Sequence, residues 1–487
     1  MKKLIVSSLA LISTSTFALP IDWHGTLGFD TTSINEYRRI SQKTDSSSSG
    51  NAGGRGTQEV PLGSGGKSTA SWQSYVFRLE PNLLVNDSAT IKAELTSGYG
   101  RGGRLGDDSR QNQEGGFGNA LYGQNTTSGD DLVINKLYME LYSDTATYQI
   151  GRHSYHYGLG AFYNAGDDTW DRIPYIRDGV TLKVKLGNFN ITPYWARIGS
   201  GNSLTKSTRV KETGVSLVYD NVEKDMAFGI HYAKKSNAPF NTDYKADVDL
   251  NLPNSAVTTS LGKTDVKITD LYFKKKFGDF KFGVEVPILS GDIGNLTQAE
   301  TKYNAKAILF ESGYKVSDNW SLGFNAGKVS GEDGTSNSFK AMYLNPNYQV
   351  ANLLFRYNLR AVGDNTLNVY DSYITNAVYL KAIIGYQTEK WNWTGSAIFA
   401  TAEEAAKTGM TAFNHTTNKT FTANYDQADD LGLEFDLDFN YQWNKEIKIG
   451  GSFGYLLTGD YFAYTNTATK NTAQNSYLIQ LRTSIDF

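Results

Sequence analysis

The 487-residue sequence contains no cysteine. That single absence removes disulfides, thiolate chemistry and cysteine-ligated zinc or iron–sulfur centres together. Histidine is scarce too: His24, His153, His156, His231 and His415 show no HExxH or similar spacing, so neither a metal nor any other cofactor is expected. There are 9 prolines against 48 glycines, with 31 Tyr, 24 Phe and 8 Trp, a profile that suits many hydrogen-bonded strands. Beyond the N-terminus, no run approaches the roughly 20 apolar residues of a spanning helix, which excludes a helical membrane protein. Lys plus Arg number 47 and Asp plus Glu 50, a formal charge of -3, so there is no basic surplus to neutralise phosphates and no nucleic-acid partner is expected.

What is present suffices to fold: 39% hydrophobic and 13% aromatic content excludes disorder. The length fits about three domains or one large barrel. Residues 1–18, MKKLIVSSLALISTSTFA, join a basic Lys2-Lys3 start, an apolar stretch from Leu4 to Ile12 and a small-x-small Thr16-Phe17-Ala18 site. This reads as a cleaved signal peptide, too short to anchor the chain. Export without cysteine fits a bacterial envelope protein.

Alternation of apolar and polar residues is the strand signal. In residues 431–443, Leu431, Leu433, Phe435, Leu437, Phe439, Tyr441 and Trp443 share one face, while Gly432, Glu434, Asp436, Asp438, Asn440 and Gln442 share the other. The same pattern predicts eighteen strands near 22–31, 72–85, 89–99, 131–143, 146–156, 178–187, 189–199, 208–219, 225–234, 264–277, 280–290, 303–316, 319–330, 374–387, 391–403, 430–443, 446–460 and 476–487. Connections after odd-numbered strands are long, for example 32–71, 100–130, 235–263, 331–373 and 404–429. Those after even-numbered strands are tight, as at Asn86-Asp87-Ser88, Gly278-Asp279, Ser317-Asp318 and Asn444-Lys445.

A soluble sandwich has no reason to alternate long and short connections, whereas an outer-membrane barrel has short periplasmic turns and long external loops. The expected fold is all-β: a transmembrane antiparallel up-and-down β-barrel of about 18 strands spanning residues 19–487 as one domain. Trp391, Trp393, Tyr441 and Trp443 are placed near the turns as an interfacial girdle, with Trp391 and Trp443 at the periplasmic headgroups. No internal repeat longer than a hairpin is found, and 43–56 and 97–118 read as loop material.

The signal peptide, the alternating strands and a terminal Phe487 with apolar residues at alternate preceding positions resemble Gram-negative outer-membrane β-barrels of the porin superfamily. The resemblance covers the whole mature chain. It implies an outer-membrane location in contact with lipid and lipopolysaccharide, and recognition of the last strand by the barrel assembly machinery. More narrowly, Leu431-Gly432-Leu433-Glu434-Phe435-Asp436-Leu437, with Gly454-Tyr455 and Gly459-Asp460-Tyr461-Phe462, looks like the closing hairpin of the eighteen-stranded alginate-export-like porins. Leu456-Leu457-Thr458 stands where those proteins usually carry aromatic and proline residues, so alginate is not implied as a substrate. The family resemblance and the self-contained loops lean towards a monomer.

Eighteen strands enclose a lumen too wide for side chains to fill, so an aqueous channel is the default expectation. In porins the loop after strand five folds inward as a constriction, and here residues 157–178 follow a similar Gly151-Arg152 pair. Asp167, Asp168, Asp171 and Asp178, interleaved with Arg172 and Arg177, are the candidate constriction charges. Strand parity puts Arg78 with Glu80, Lys136 with Glu140, and Lys183 with Lys185 on the lumen side of strands two, four and six. Glu434, Asp436 and Asp438 line strand sixteen, so a cationic wall is expected to face an acidic one. Lys274 and Lys276 belong at the periplasmic rim. Arg152 shares parity with Tyr148 and Ile150, which points it into lipid unless a bulge or a partner intervenes.

The leading expectation is a passive channel for small hydrophilic solutes or ions, with no catalytic residue. A barrel enzyme could draw on His153, Ser154 and Asp167, but adjacent strand residues face opposite sides and cannot easily share a proton. A surface-binding or structural barrel closed by loops 32–71 and 331–373 is the third reading.

Overall fold

The computed structural model describes residues 21–41, 69–98, 100–105, 132–199, 210–236, 264–295, 300–335, 338–362, 368–415, 419–468 and 471–487. The signal-peptide reading of 1–18 and the segment 43–56 lie outside the described residues, as does most of 97–118.

Each predicted alternating segment is a strand. Among the described residues the long strands are β1 Ile21–Asn35, β2 Thr69–Asn86, β3 Ala89–Ser97, β4 Leu132–Tyr142, β5 Ala146–Ser154, β6 Ile176–Leu186, β7 Phe189–Gly199, β8 Val210–Asn221 and β9 Met226–Ser236. They continue as β10 Thr264–Phe277, β11 Phe280–Asn295, β12 Glu300–Lys315, β13 Trp320–Val329, β14 Ala377–Gln387, β15 Trp391–Thr401, β16 Asp430–Gln442, β17 Ile447–Thr458 and β18 Ser476–Asp486. Every strand pairs antiparallel with its neighbours in sequence, and β1 closes on β18 from Thr26↔Asp486 to Asn35↔Tyr477. Gly25 and Phe487 exchange backbone hydrogen bonds of 2.7 and 3.0 Å, carrying the seam to the last residue. The fold is a closed 18-stranded antiparallel barrel. Closure leaves no sheet edge, so every strand finds partners on both sides.

Strand parity sorts the side chains. On β16, Phe435 and Leu437 point outward and are each 45% exposed, while Glu434 and Asp436 point inward and are buried. Outward Tyr148, Val180, Val215, Ile230, Leu271, Ile308 and Leu322 continue this apolar exterior around the barrel. Near the short turns it ends in aromatics: Trp391 lies 5.5 Å from Trp393 and 4.6 Å from Tyr441 between ring centroids, and Trp320 4.8 Å from Tyr386.

The buried core lies inside the cylinder, not between two sheets. Ile268, Leu309, Tyr379 and Ile398 of the wall join a cluster with Tyr157, Ala161 and Tyr163 of the β5–β6 loop and with Met342, Leu353, Leu354 and Tyr357 of the β13–β14 loop. The lumen is therefore occupied, towards its long-loop end, by two infolded connections. The second of them, described over 330–335, 338–362 and 368–376, was expected as loop 331–373 only to close the surface.

Candidate functional site at the junction of two infolded loops

The β5–β6 loop, residues 155–175, is pinned at both sides of the barrel. On β11, the Glu285 carboxylate accepts the backbone amides of Leu159 and Phe162, the latter at 3.2 Å. Towards β1 and β2, Arg172 donates to Asp30 at 3.1 Å, to the Ser74 hydroxyl at 2.9 Å and to the Tyr75 carbonyl at 2.9 Å. Arg101, ion-paired with Glu94 at 2.7 Å, donates to the Gly166 and Asp171 carbonyls. Trp170 lies over Gly28, where a Cβ would come within 2.9 Å of the indole, so a residue without a side chain is needed there. The Arg482 guanidinium of β18 lies over the same ring, 5.2 Å from its centroid.

The β13–β14 loop crosses the same space from the opposite wall. Glu434 accepts the amides of Leu353 and Leu354 at 2.6 and 2.8 Å, Asp436 that of Asn352 at 3.2 Å, and Asp438 the Asn352 side-chain amide at 3.1 Å. Tyr348 reaches Glu311 of β12 at 2.9 Å, and Tyr370 shares a 2.6 Å hydrogen bond with Ser74. The two loops also bind each other. The Asn347 side chain accepts the amides of Arg172 and Ile173, both at 3.1 Å, and donates to the Ile173 carbonyl at 3.0 Å.

Beneath this junction a cavity of about 550 Å³ runs to the short turn at Gln387–Asn392. Asp30, Asp168, Asp171, Arg172, Arg356 and Arg482 contribute charges of both signs to it, and Trp170 and Tyr370 contribute rings. Burial, reinforced by repulsion from Asp168, pushes the Asp171 carboxyl up to about 6. A second cavity of about 630 Å³ lies at the same end under β8–β13, where Lys274, Lys276 and Lys281 line it. Among the described residues no group of three or more His, Asp or Glu is arranged to hold a metal ion.

The predicted residues divide. Asp168, Asp171 and Arg172 border the first cavity, and Asp167 is exposed on the same loop. Asp178 does not belong with them: β6 begins at Ile176, and Asp178 faces outward, where both its oxygens pair with Arg152 at 2.7 and 2.8 Å. That pair is the partner Arg152 requires. Arg177 turns inward but is sealed, its guanidinium 3.6 and 3.4 Å from the Tyr155 and Tyr194 centroids and 3.4 Å from Glu212. Arg78 is buried against the Gly166 carbonyl at 3.4 Å, Lys136 pairs with Glu94 at 2.8 Å, and Glu140 with Lys92 at 2.7 Å. Lys183 and Lys185 remain exposed on the lumen side. Glu434 and Asp436 are buried beneath the β13–β14 loop, which corrects the expected open acidic wall: their oxygens hold loop amides where water was anticipated. His153 hydrogen-bonds Thr181 at 2.7 Å and the Gly151 carbonyl at 3.2 Å, so it is not joined to Ser154 or Asp167 in a catalytic trio.

Asp30, Asn347, Arg356, Tyr370 and Arg482 complete the site and were not singled out from sequence. Asp30 carried a signal, since it alternates with Thr26, Gly28 and Thr32 on the polar face of β1. The loop residues carried none.

The site and fold thus define a closed barrel whose lumen narrows at two interlocked loops. No protein-family profile and no curated protein matches the sequence. Solved structures similar to this chain include Pseudomonas aeruginosa OccK2 (OpdF) in complex with glucuronate, with TM-score 0.48, 10% identity and 96% of each chain covered. Pseudomonas aeruginosa OccK9 (OpdG) gives TM-score 0.48 and 13% identity over 96% of this chain and 99% of that one. OmpT, an outer membrane protein of Vibrio cholerae, gives TM-score 0.35 and 9% identity over 96% and 97%. Identities this low tie none of those proteins' solutes to this chain.

Proposed function

We propose that this chain is a passive outer-membrane channel for small hydrophilic solutes or ions, and that the junction of the β5–β6 and β13–β14 loops is its constriction. The observation that carries the reading is the 550 Å³ cavity of mixed charge directly below that junction, inside a barrel whose exterior is apolar. Opposed charges at a narrow point sort ions and orient dipolar solutes without an energy source. The short turns then face the periplasm, the long loops face outward, and an N-terminal export signal at 1–18 belongs to the same reading. The likeness of residues 431–462 to alginate-export-like porins enters only as architecture, and no polymer substrate is taken from it.

The burial of Leu353, Leu354 and Tyr357 in the lumen favours one rival, a loop-plugged surface barrel. Planar-bilayer recording separates the two. A channel gives discrete ohmic steps and solute uptake in liposome swelling, whereas a plugged barrel inserts without either.

A further inference from the structure

The two cavities below the infolded loops, of about 550 and 630 Å³, have no lining residue in common. The first faces β14–β18 and β1, the second β8–β13. Different parts of the β5–β6 loop border them, Asp168–Arg172 the first and Leu159 the second. Between them stands a short run of the β13–β14 loop, residues 345–350, whose neighbouring side chains face opposite ways. Asn347 and Gln349 line the first cavity, whereas the intervening Tyr348 donates at 2.9 Å to Glu311, which lines the second.

Both edges of this run are fixed. On the wall, the Tyr348 hydroxyl lies 3.4 Å from that of Tyr379, and the Lys381 ammonium donates to the Val350 carbonyl at 2.7 Å, both from β14. On the other edge, the Asn345 amide donates to the Ala161 carbonyl of the β5–β6 loop at 2.8 Å, beside the Asn347 contacts with Arg172 and Ile173. Ala161, Tyr348, Val350 and Tyr379 are all buried, so the seam is dry at these points.

The two sides also differ in charge. In the first cavity Arg172 pairs with Asp30, and Lys448 with Asp486, which cancels part of the basic charge. In the second, Lys276 is the direct cross-strand neighbour of Lys281, and Lys274 lines the same space. The carboxylates there, Asp220, Asp225 and Glu311, make no ion pair with these three lysines, which have none among the described residues.

We infer that residues 345–350 form a septum dividing the lumen into two parallel lanes, so that one barrel conducts by two routes, the lysine-lined one admitting anions more readily than the other. The inference rests on the channel reading and adds that no solute changes lane at the level of Tyr348. Two fields kept apart by a dry wall sort solutes independently, where one shared lumen would average them.

The absence of cysteine makes the test direct, because an introduced thiol is the only one in the chain. Gln349→Cys places it in the first cavity and Asn325→Cys in the second. Each full-length variant is inserted into a planar bilayer and then reacted with a bulky uncharged maleimide. Cavities of similar volume imply that either label removes about half of the single-channel current, and the two labels together nearly all of it. Lys274→Gln/Lys276→Gln should displace the reversal potential towards cation selectivity in the labelled Gln349→Cys barrel and leave it unmoved in the labelled Asn325→Cys barrel. Should Asn325→Cys fail to fold, Lys281→Cys carries the label into the same cavity. Complete block by one label would overturn the inference, since the cavities would then share a single route. So would a label that leaves the current whole, or a lysine effect that survives labelling of Asn325→Cys. Those three results leave the channel reading standing, whereas unlabelled protein that inserts without conductance steps would remove that reading and the two lanes with it.

Discussion

The guanidinium of Arg172 lies 3.8 Å from the centroid of the Tyr370 ring. One residue comes from the β5–β6 loop and the other from the β13–β14 loop, and both meet Asp30 and Ser74 on the wall. The proposed constriction is therefore a joint between two loops and two strands, and its dimensions depend on both loops staying docked.

Arg172→Ala should undo this joint. Asp30 is 2% exposed at its side chain, and removing its cation leaves a buried charge, at a cost of about 3 kcal/mol. The denaturant midpoint in micelles should fall accordingly, and single-channel current should become larger and noisier. An unchanged midpoint with wild-type current would show that the loop is held elsewhere.

Glu434 does for the second loop what Arg172 does for the first. Glu434→Ala orphans two buried amides, those of Leu353 and Leu354, at about 1–3 kcal/mol each, whereas Glu434→Gln retains an acceptor and should cost less. Limited proteolysis should cut near residues 350–356 in the alanine variant first. Equal protection in both variants would contradict the clasp.

The acidity of the cavity predicts a pH response. Burial and the neighbouring Asp168 disfavour the Asp171 anion and push its carboxyl up to about 6, above the ordinary carboxylate range. Lowering pH from 7 to 5 therefore removes a negative charge from the constriction, and reversal potentials should move towards anion selectivity. In Asp171→Asn the change over that interval should shrink; an undiminished response would assign the titration to another group.

On the outer wall, Asp178→Asn deprives Arg152 of its bidentate partner. Near the edge of the apolar band an unpaired outward arginine costs about 1 kcal/mol, less than at the midplane. Unfolding in zwitterionic vesicles should register that loss, and Arg152→Leu/Asp178→Leu should recover it. No loss in the single variant would mean the pair is fully water-exposed.

The barrel was legible because parity on strands is unambiguous. Phe435 and Leu437 against Glu434 and Asp436 can satisfy only one register, and the tight turns mark where each hairpin reverses. The outward setting of Arg152 followed from the same parity. The site was less legible because it depends on loops, which have no period. Nothing in residues 350–354 announces that their amides cap Glu434 and Asp436, so those carboxylates read as an open wall. Asp178 was grouped with the constriction because the boundary between loop and strand was set at 178 itself; β6 starts two residues before it and turns it outward. Asn347 and Tyr370 join the site through contacts of more than one hundred residues' separation in the chain, beyond any local pattern.

The most direct test of a charged constriction in a conducting barrel is the reversal potential in a salt gradient, measured on single channels of wild type and of Asp167→Asn/Asp168→Asn/Asp171→Asn. Discrete ohmic steps in both, with the variant displaced towards anion selectivity, are predicted. Folded, inserted protein without steps, or two identical reversal potentials, would contradict the account.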